Sequence, residues 1–163
     1  MTIYTTSISR HLNAPRAQVY CALLDPQAVA KWMVPDDMTS HIHEFNAQVG
    51  GSFRISLTYH ELTASSGHPG KTTAHTDTYH GRFVELVPNE QVVERLAFET
   101  TDQAMSGEMT LTFTLTDANG STDLLVVHDN LPPALSPTDN EIGWRMALDK
   151  LAVLVAEQRK ASS

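Results

Sequence analysis

Eight histidines give the chain its most obvious candidates for chemistry. His41 and His43 alternate along a predicted strand, so both side chains point to the same face, and an HxH pair on a strand can supply two metal ligands. The sequence has one cysteine and no HExxH motif to complete such a site. We therefore interpret the histidines as solvated strand and loop residues, and we predict no metal and no other cofactor. The same interpretation covers the histidines that flank or occupy a long loop, which are His60, His68, His75 and His80.

Two carboxylates, Glu94 and Glu85, are predicted on strand faces that also carry apolar residues. Their same-face neighbours are Val92, Leu96 and Phe98 for Glu94, and Gly81, Phe83 and Val87 for Glu85. A carboxylate on a buried apolar face has a raised pKa and can act as a base or bind a ligand hydroxyl. If the opposite face is the buried one, each carboxylate is solvated or paired, and Arg82 and Arg95 on neighbouring strands are candidate partners.

His128 lies near the end of the last predicted strand and is followed by Asp129. A histidine and a carboxylate can act together as acid and base. Adjacent strand residues point to opposite faces, however, so these two side chains cannot pair directly along the strand. A hydrogen-bonded structural histidine is therefore favoured over a catalytic one. The sequence also lacks a Ser-His-Asp ordering, a glycine-rich phosphate loop and a carboxylate dyad, and no catalytic residue is predicted.

Methionine and aromatic residues form a larger group of candidates, because their side chains suit an adaptable apolar pocket. Ordinary core packing explains any one of them alone, whereas the group as a whole indicates a binding site. The ligand-binding residues predicted from the sequence are Trp32, Met33, Tyr59, Tyr79, Glu94, Met105, Met109, His128 and Trp144.

The elements that must position these residues begin with a strand and two short helices. Residues 5–11 read as the first strand. In the segment that follows, Asn13 is a candidate helix cap and Pro15 suits the first helical turn. Asp25 and Pro26 end this helix, and "PQAVAKWM" reads as a second one.

Six strands and a long helix are predicted to follow. The clearest pattern is "MSGEMTLTFTLTD", where apolar and polar residues alternate strictly, as in an antiparallel strand with one wet face. Consecutive strands joined by short turns form a meander, and its twist gives the sheet a concave apolar face. The order β-α-α-β-β-β-β-β-β-α therefore predicts an α+β fold in which a curved antiparallel sheet wraps a helix that begins near Ser136.

The final helix carries two apolar stripes. At the helical spacing, one broad face holds Trp144, Ala147, Leu148, Leu151, Leu154 and Val155. Nearly opposite lie Ile142, Met146 and Val153. We expect the first stripe to lie against the concave sheet. The second stripe then faces outward or meets another element or subunit, and a homodimer is predicted because exposed apolar patches often mark interfaces.

The length, composition and net charge limit the class of protein to which the chain can belong. The chain has 163 residues, which fits one domain over 1–163, and 41% of them are hydrophobic. The net charge of −8 excludes a typical phosphate-backbone binder, and no basic run or long apolar stretch indicates a membrane. Cys21 can form no intrachain disulfide, and its apolar context "VYCALL" predicts a small buried residue. The N-terminus lacks a signal-peptide pattern, so a cytoplasmic location is expected.

Several segments together carry a resemblance to a known family. They are "ISRHLNAPRAQVYCALLDPQAVAKWM", "GGSFRI", "HGRFVELVPNEQVV", and "TLTFTLTD" leading through "LLVVHDNLP" to the final helix. In order and spacing the chain resembles the helix-grip proteins of the START/SRPBCC superfamily. Within it, the chain resembles bacterial homologues of the C-terminal domain of the activator of the ninety-kilodalton heat-shock protein ATPase. The resemblance implies a cavity between the sheet and the long helix, which family members use for lipids, polyketides, hormones or other apolar molecules.

Three functions are compatible with these features, because a shared fold does not fix one activity. The first is the binding of a small apolar or amphipathic ligand between sheet and helix, with Trp32 and Met33 near the mouth of the cavity. The second is an enzyme of the polyketide cyclase or dehydratase type that uses Glu94 or His128. The third is a protein-interaction role, including contact with a chaperone.

Overall fold

The chain folds into one continuous antiparallel sheet and three α-helices, in a computed structural model that describes residues 4–59 and 76–162. The strands are β1 (Tyr4–Leu12), β2 (Met38–Phe45), β3 (Ser52–Tyr59), β4 (Thr76–Val87), β5 (Gln91–Phe98), β6 (Met109–Ala118) and β7 (Ser121–Leu131). The helices are α1 (Arg16–Leu24), α2 (Pro26–Trp32) and α3 (Pro137–Ser162), and a 3-10 turn spans Gln103–Met105. The predicted order of strands and helices and the α+β helix-grip fold are confirmed.

Strands β2 to β7 form a meander, and β1 adds to it as an edge strand beside β7. Its spatial order is β1-β7-β6-β5-β4-β3-β2, and every neighbouring pair is antiparallel. Register shifts interrupt β1, β2 and β4, and such bulges add local twist and bend. Gly81 in the middle of β4 allows a close approach of the next strand, since a Cβ there would lie 2.1 Å from the carbonyl oxygen of Arg95.

The alternation predicted for β6 is confirmed. Met109, Leu111, Phe113 and Leu115 are buried on the inner face, while the threonines between them are half-buried on the other. Met105 does not continue this strand, contrary to the periodic pattern. Asp102 caps the 3-10 turn by accepting a hydrogen bond from the backbone N–H of Ala104 at 2.9 Å, and the positive φ of Gly107 then redirects the chain. Met105 is nevertheless buried.

The helices begin at residues whose capping hydrogen bonds explain the boundary, and one of the predicted caps is wrong. Asp25 accepts a hydrogen bond from the backbone N–H of Gln27 at 3.0 Å and so caps α2, with Pro26 at its first position, as expected. The cap predicted at Asn13 is wrong. The first helical N–H groups, those of Gln18 and Val19, donate to the carbonyl of Pro15, which occupies the cap position itself.

Cys21 is exposed, which corrects the prediction of a buried residue. The buried positions of α1 are Val19, Ala22 and Leu23. The remaining face of this short helix points away from the core and carries Cys21. An apolar run such as "VYCALL" contains no polar residue to mark that outward face.

The final helix begins as predicted and lies with its broad apolar stripe inward. The Ser136 hydroxyl accepts a hydrogen bond from the backbone N–H of Asp139 at 3.2 Å. The helix packs against β1, α1 and α2. The inward face buries Trp144, Ala147, Leu148, Leu151 and Val155, with Leu154 half-buried. On the opposite stripe, Ile142 and Val153 are 47% and 58% exposed, and Met146 is half-buried.

Aromatic packing divides the interior into a filled end and an open end. The filled end holds a cluster of edge-on and tilted ring contacts among Phe45, Phe53 and Phe83, with centroids 5.3–6.4 Å apart. Phe113 packs edge-on against Trp144, with ring centroids 5.9 Å apart. Trp144 therefore marks the boundary where the packed core gives way to a cavity.

Candidate ligand-binding cavity

A cavity of about 650 Å³ lies between the concave face of the sheet and α3. Apolar and aromatic side chains from β3, β4, β5, β6 and α3 form most of its wall. The segment from the end of α2 to the start of β2 forms another part, through Met33, Val34, Pro35, Asp37 and Met38. A volume of this size suits a small organic molecule. Seven of the residues predicted to bind a ligand line it, namely Met33, Tyr59, Tyr79, Met105, Met109, His128 and Trp144.

Trp32 lies in the core rather than on the cavity wall, which corrects its predicted place at the mouth. Its side chain is 1% exposed, and its indole N–H donates to the carbonyl of Ala22 at 2.9 Å. The ring also packs edge-on against Phe113. The position of Trp32 at the end of α2 turns the indole back onto α1, whereas Met33, one residue later, reaches the cavity.

His128 is a polar residue of the wall with two hydrogen-bond partners on α3. The indole Nε1 of Trp144 donates to its Nδ1 at 3.2 Å, and the side-chain amide of Asn140 approaches the same nitrogen at 3.2 Å. An indole N–H can only donate, so Nδ1 must be the unprotonated nitrogen and the proton must sit on Nε2. Nε2 is buried and has no hydrogen-bond partner among the described residues.

Burial keeps this histidine neutral. His128 is 6% exposed. Desolvation lowers the pKa of its imidazole to about 4, against the opposing effect of the Asp129 carboxylate. Asp129 points to the other face, as predicted, and accepts a hydrogen bond from the Thr5 hydroxyl at 2.8 Å. The two residues therefore form no direct acid–base pair.

Glu94 is buried next to the cavity but does not line it. It stands opposite Leu111 on β6, and Leu111 stands opposite His128 on β7, so the two titratable groups are two strand spacings apart, roughly 10 Å. Burial raises the pKa of the Glu94 carboxyl to about 8. The pKa of the Tyr79 phenol is raised mainly by its burial and further by the negative charge that Glu94 carries once it is ionised.

Glu85 and the two arginines lie outside the site. A register shift between Phe83 and Glu85 in β4 turns Glu85 to the exposed face, so the solvated alternative applies to this carboxylate. Arg82 and Arg95 interact with Glu108 at 3.4 and 3.9 Å, on the outer face, rather than with Glu94 or Glu85. The functional interpretation of a buried carboxylate therefore rests on Glu94.

Sequence reasoning missed two polar partners of the site, Asn140 and Thr6. The Asn140 amide donates to the hydroxyl of Thr6 at 2.9 Å as well as approaching His128, and Thr6 is 4% exposed. Asn140 precedes Trp144 by one helical turn, so both residues share a face of α3. This spacing in the sequence could have identified Asn140 as a residue of the site. The contact with Thr6 joins residues 134 positions apart and leaves no local pattern in the sequence.

The histidine pair on β2 faces solvent. His41 and His43 do point to the same side, with ring centroids 4.5 Å apart, and both are exposed. His43 shares a hydrogen bond of 2.8 Å with the Ser56 hydroxyl, and His80 pairs with Glu99. In the part of the chain that the structure describes, no three His, Cys, Asp or Glu side chains group closely enough to hold a metal ion. His60, His68 and His75 lie outside the described residues.

A shallow outer groove of about 370 Å³ lies on the other side of α3. Met146 and Val153 of the second apolar stripe border it, together with charged residues. Lys150 is held at this groove by Asp36 at 3.0 Å and by the carbonyl of Val34 at 2.5 Å.

Within residues 4–59 and 76–162, no helix combines the length and apolarity needed to cross a membrane.

Solved structures share this architecture. CV1439 from Chromobacterium violaceum is 33% identical, with a TM-score of 0.80 over 93% of this chain and 96% of its own. A protein from Rhodobacter sphaeroides is 20% identical, with a TM-score of 0.75 over 96% of this chain and 99% of its own. DynU16, a protein of the dynemicin biosynthetic locus, is 20% identical, with a TM-score of 0.64 over 93% of this chain and 47% of its own.

The family assignment rests on the length of the sequence match. No match is found among curated proteins. The model of the family described as Activator of Hsp90 ATPase homolog 1-like protein matches residues 13–156, which include strands β2 to β7, helices α1 and α2, and α3 up to residue 156. The predicted resemblance is therefore confirmed, and the chain belongs to this family of helix-grip, SRPBCC-type proteins.

Proposed function

We propose that the chain binds a small apolar or amphipathic molecule in the cavity between the sheet and α3. The observation that carries this proposal is a space of about 650 Å³ bounded largely by methionine, leucine and aromatic side chains. Filling such a space with apolar atoms restores dispersion contacts that an empty cavity lacks. The flexible methionines, Met33, Met105 and Met109, suit a wall that adapts to the shape of its ligand.

The proposal is tested by titration with Nile red, a neutral dye that fluoresces in apolar surroundings. One dye per chain should bind and quench the emission of Trp144, whose ring borders the cavity. Leu57→Trp places a large ring in the cavity wall and should abolish binding. Leu125→Trp, the same exchange on the outer face of β7, should leave binding intact. Equal binding by both variants would mean that the dye sits elsewhere, and absence of stoichiometric binding by the wild type would refute the proposal.

An enzyme of the cyclase or dehydratase type is the second candidate. The observation in its favour is Glu94, a buried carboxyl whose pKa of about 8 suits proton transfer near neutral pH. Glu94 does not line the cavity, and this position favours binding over turnover. Product formation from a polyketide-like β-keto thioester, lost in Glu94→Gln while Nile red binding persists, would establish the enzymatic function instead.

A protein-interaction role, including contact with a chaperone, is the third candidate. The exposed stripe on α3 and the outer groove beside it supply apolar surface for such contact. A pull-down with purified Hsp90 that fails equally for the wild type and for Val153→Glu would exclude this surface as the chaperone-binding site. Binding that is lost only in the variant would support it.

A further inference from the structure

The mouth of the cavity lies beside the first turns of α3. Ser136, Asp139 and Ile142 line the cavity and are also exposed to solvent, with Ile142 at 47%. Further along the same helix, Trp144 and Ala147 line the cavity but are buried. A ligand therefore meets the protein first at the start of α3 and the segment that faces it.

Residues 33–37 join α2 to β2 and form the opposite side of this mouth, and we call them the lip. Four of the five lip residues line the cavity, whereas Asp36 lines the outer groove. Pro35 brings the lip close to α3, because a Cβ at Gly143 would lie 3.9 Å from Cγ of the proline ring. The position of the lip relative to α3 therefore sets the width of the mouth.

Lys150 fastens the lip to α3 from the outer side. Its ammonium group donates to the carbonyl of Val34 at 2.5 Å and pairs with the Asp36 carboxylate at 3.0 Å. Across residues 4–59 and 76–162, no other hydrogen bond or ion pair joins the lip to α3. The backbone hydrogen bonds of the lip are local, as from the N–H of Val34 to the carbonyl of Trp32 at 2.9 Å. A segment with so few distant hydrogen bonds opens at low cost.

We propose that the lip moves outward to let the ligand enter and leave, and that Lys150 is the positioning residue that holds the lip closed. This proposal describes the control of the binding function proposed above and rests on it. A site that encloses its ligand must open for exchange. The lip can open without breaking the hydrogen bonds of the sheet or of α3, because only the two contacts of Lys150 have to be released. The Lys150 side chain is 31% exposed, so water can replace those contacts.

Lys150→Met tests the proposal, because it removes the ammonium group and keeps an unbranched side chain. Stopped-flow mixing with Nile red measures the association rate, and dilution of dye-loaded protein measures the dissociation rate. Both rates should rise by about tenfold, the factor expected for the loss of one charge-assisted hydrogen bond. The equilibrium affinity should change by less than about threefold, because opening precedes both entry and exit.

Arg145→Met is the matched control. Arg145 is an exposed cation of α3 whose ion pair with Glu141 stays within the helix. Both exchange rates of this variant should equal those of the wild type. Wild-type rates in Lys150→Met would overturn the proposal. Faster dissociation with unchanged association would also overturn it, because that result describes a weakened site rather than a mouth that opens more often.

A reversible cross-link tests the movement of the lip without altering Lys150. Pro35→Cys and Gly143→Cys, combined with Cys21→Ser to remove the exposed native thiol, place two thiols where the lip approaches α3. Thiol titration identifies the disulfide-linked protein. This form should exchange Nile red at least tenfold more slowly than the same protein after reduction. Equal rates before and after reduction would show that the ligand does not pass the lip.

The two proposals fail in different ways. Absence of Nile red binding by the wild type would refute the binding function, and the lip would then have no ligand to admit. Stoichiometric binding with exchange rates that respond neither to Lys150→Met nor to the cross-link would leave the binding function intact and refute only the role of the lip.

Discussion

The indole N–H of Trp144 donates to Nδ1 of His128 across 3.2 Å, and this bond ties α3 to β7. The two rings meet edge-on, with centroids 6.0 Å apart. Protonation of the imidazole would place a second N–H against the indole N–H and would remove the acceptor that both Trp144 and Asn140 use. The neutral state of one buried histidine is therefore part of the contact between the helix and the sheet.

Acid should accordingly destabilise the protein through His128. The imidazole pKa is about 4 in the folded state and 6.5 in the reference state, so the unfolded chain takes up this proton first as the pH falls. The contribution of His128 to stability should therefore decrease from pH 6.5 towards pH 4, by about 1.4 kcal/mol for each pH unit at most, and Glu94 opposes it over part of this range. Urea denaturation across this range measures the slope.

His128→Phe should remove this contribution, so its stability relative to the wild type should increase as the pH falls from 6.5 to 4, whereas His41→Phe, on the exposed face of β2, should show the same pH dependence as the wild type. Variants with identical slopes would show that His128 does not titrate differently in the folded and unfolded states. The comparison concerns the pH dependence alone, because the lost hydrogen bonds of Trp144 and Asn140 reduce stability at every pH.

Glu94 should act in the opposite direction. Its carboxyl pKa is about 8 in the folded state and 4.5 in the reference state. The folded protein therefore holds the proton while the unfolded chain releases it, and stability should fall as the pH rises from 4.5 to 8. Glu94→Gln removes this dependence, so its stability relative to the wild type should improve by about 2–4 kcal/mol between pH 5 and pH 8.

Glu85→Gln is the matched control, since Glu85 is exposed on the neighbouring strand. Its stability relative to the wild type should be the same at both pH values. If Glu94→Gln behaves in the same way as this control in urea denaturation, the carboxyl of Glu94 is ionised in the folded state.

Much of the fold could be predicted from the sequence because it depends on local periodicity. The alternation through Met109, Leu111 and Phe113 identifies an inner face wherever the strand lies, and the stripe through Trp144 and Leu148 does the same for the helix. The contacts between these faces could not be predicted in the same way. The bond from Asn140 to Thr6 depends on where α3 crosses β1, which no short segment encodes.

Two residues, Trp32 and Glu85, show where residue type and strand pattern are insufficient to place a side chain. Trp32 has a suitable type for a pocket, but the orientation of α2 directs its N–H to the carbonyl of Ala22. Glu85 follows the inward pattern of β4 until a bulge shifts the register, and a shift by one residue moves a side chain to the opposite face. Helix orientation and bulge position both depend on packing against distant segments.

Two glycines should respond to alanine in opposite directions. A Cβ at Gly81 would lie 2.1 Å from the Arg95 carbonyl oxygen and 2.7 Å from the Phe53 ring, so Gly81→Ala should cost about 3 kcal/mol or more. At Gly143 the nearest atom would be 3.9 Å away, in the Pro35 ring, and the residue is helical. Gly143→Ala should therefore stabilise the protein by about 0.5–1 kcal/mol.

Thermal melts compare these two variants with the wild type. A Gly81→Ala variant with an unchanged melting temperature would contradict the close approach of β4 and β5. Gly143 also borders the cavity, so the added methyl of Gly143→Ala should reduce Nile red affinity while it raises the melting temperature. A higher melting temperature combined with a lower Nile red affinity would support the position of the binding site beside Gly143.

Self-association remains a prediction and concerns the outer stripe of α3. Ile142 and Val153 are among the exposed large apolar residues, and Val153 borders the outer groove. A symmetric dimer that buries this stripe should dissociate in Val153→Glu, because a charge would enter the interface. Leu125→Glu, an exposed apolar position on β7, should leave the mass unchanged. Light scattering at high protein concentration measures the molar mass of the wild type and of both variants. A monomer mass for the wild type would contradict the prediction.

The two stripes of α3 should differ in how much they stabilise the fold. Leu148 is 1% exposed and packs in the core, so Leu148→Ala should reduce the free energy of unfolding by about 2–5 kcal/mol. Met146 is half-buried, between the cavity and the outer groove, and Met146→Ala should cost less than half as much. Val153→Ala, at an exposed position, should change stability by no more than about 0.5 kcal/mol. Urea denaturation of the three variants measures this order. Because Met146 borders the cavity and Leu148 does not, Nile red affinity should change in Met146→Ala rather than in Leu148→Ala, and equal losses of stability would contradict the inward orientation of the helix.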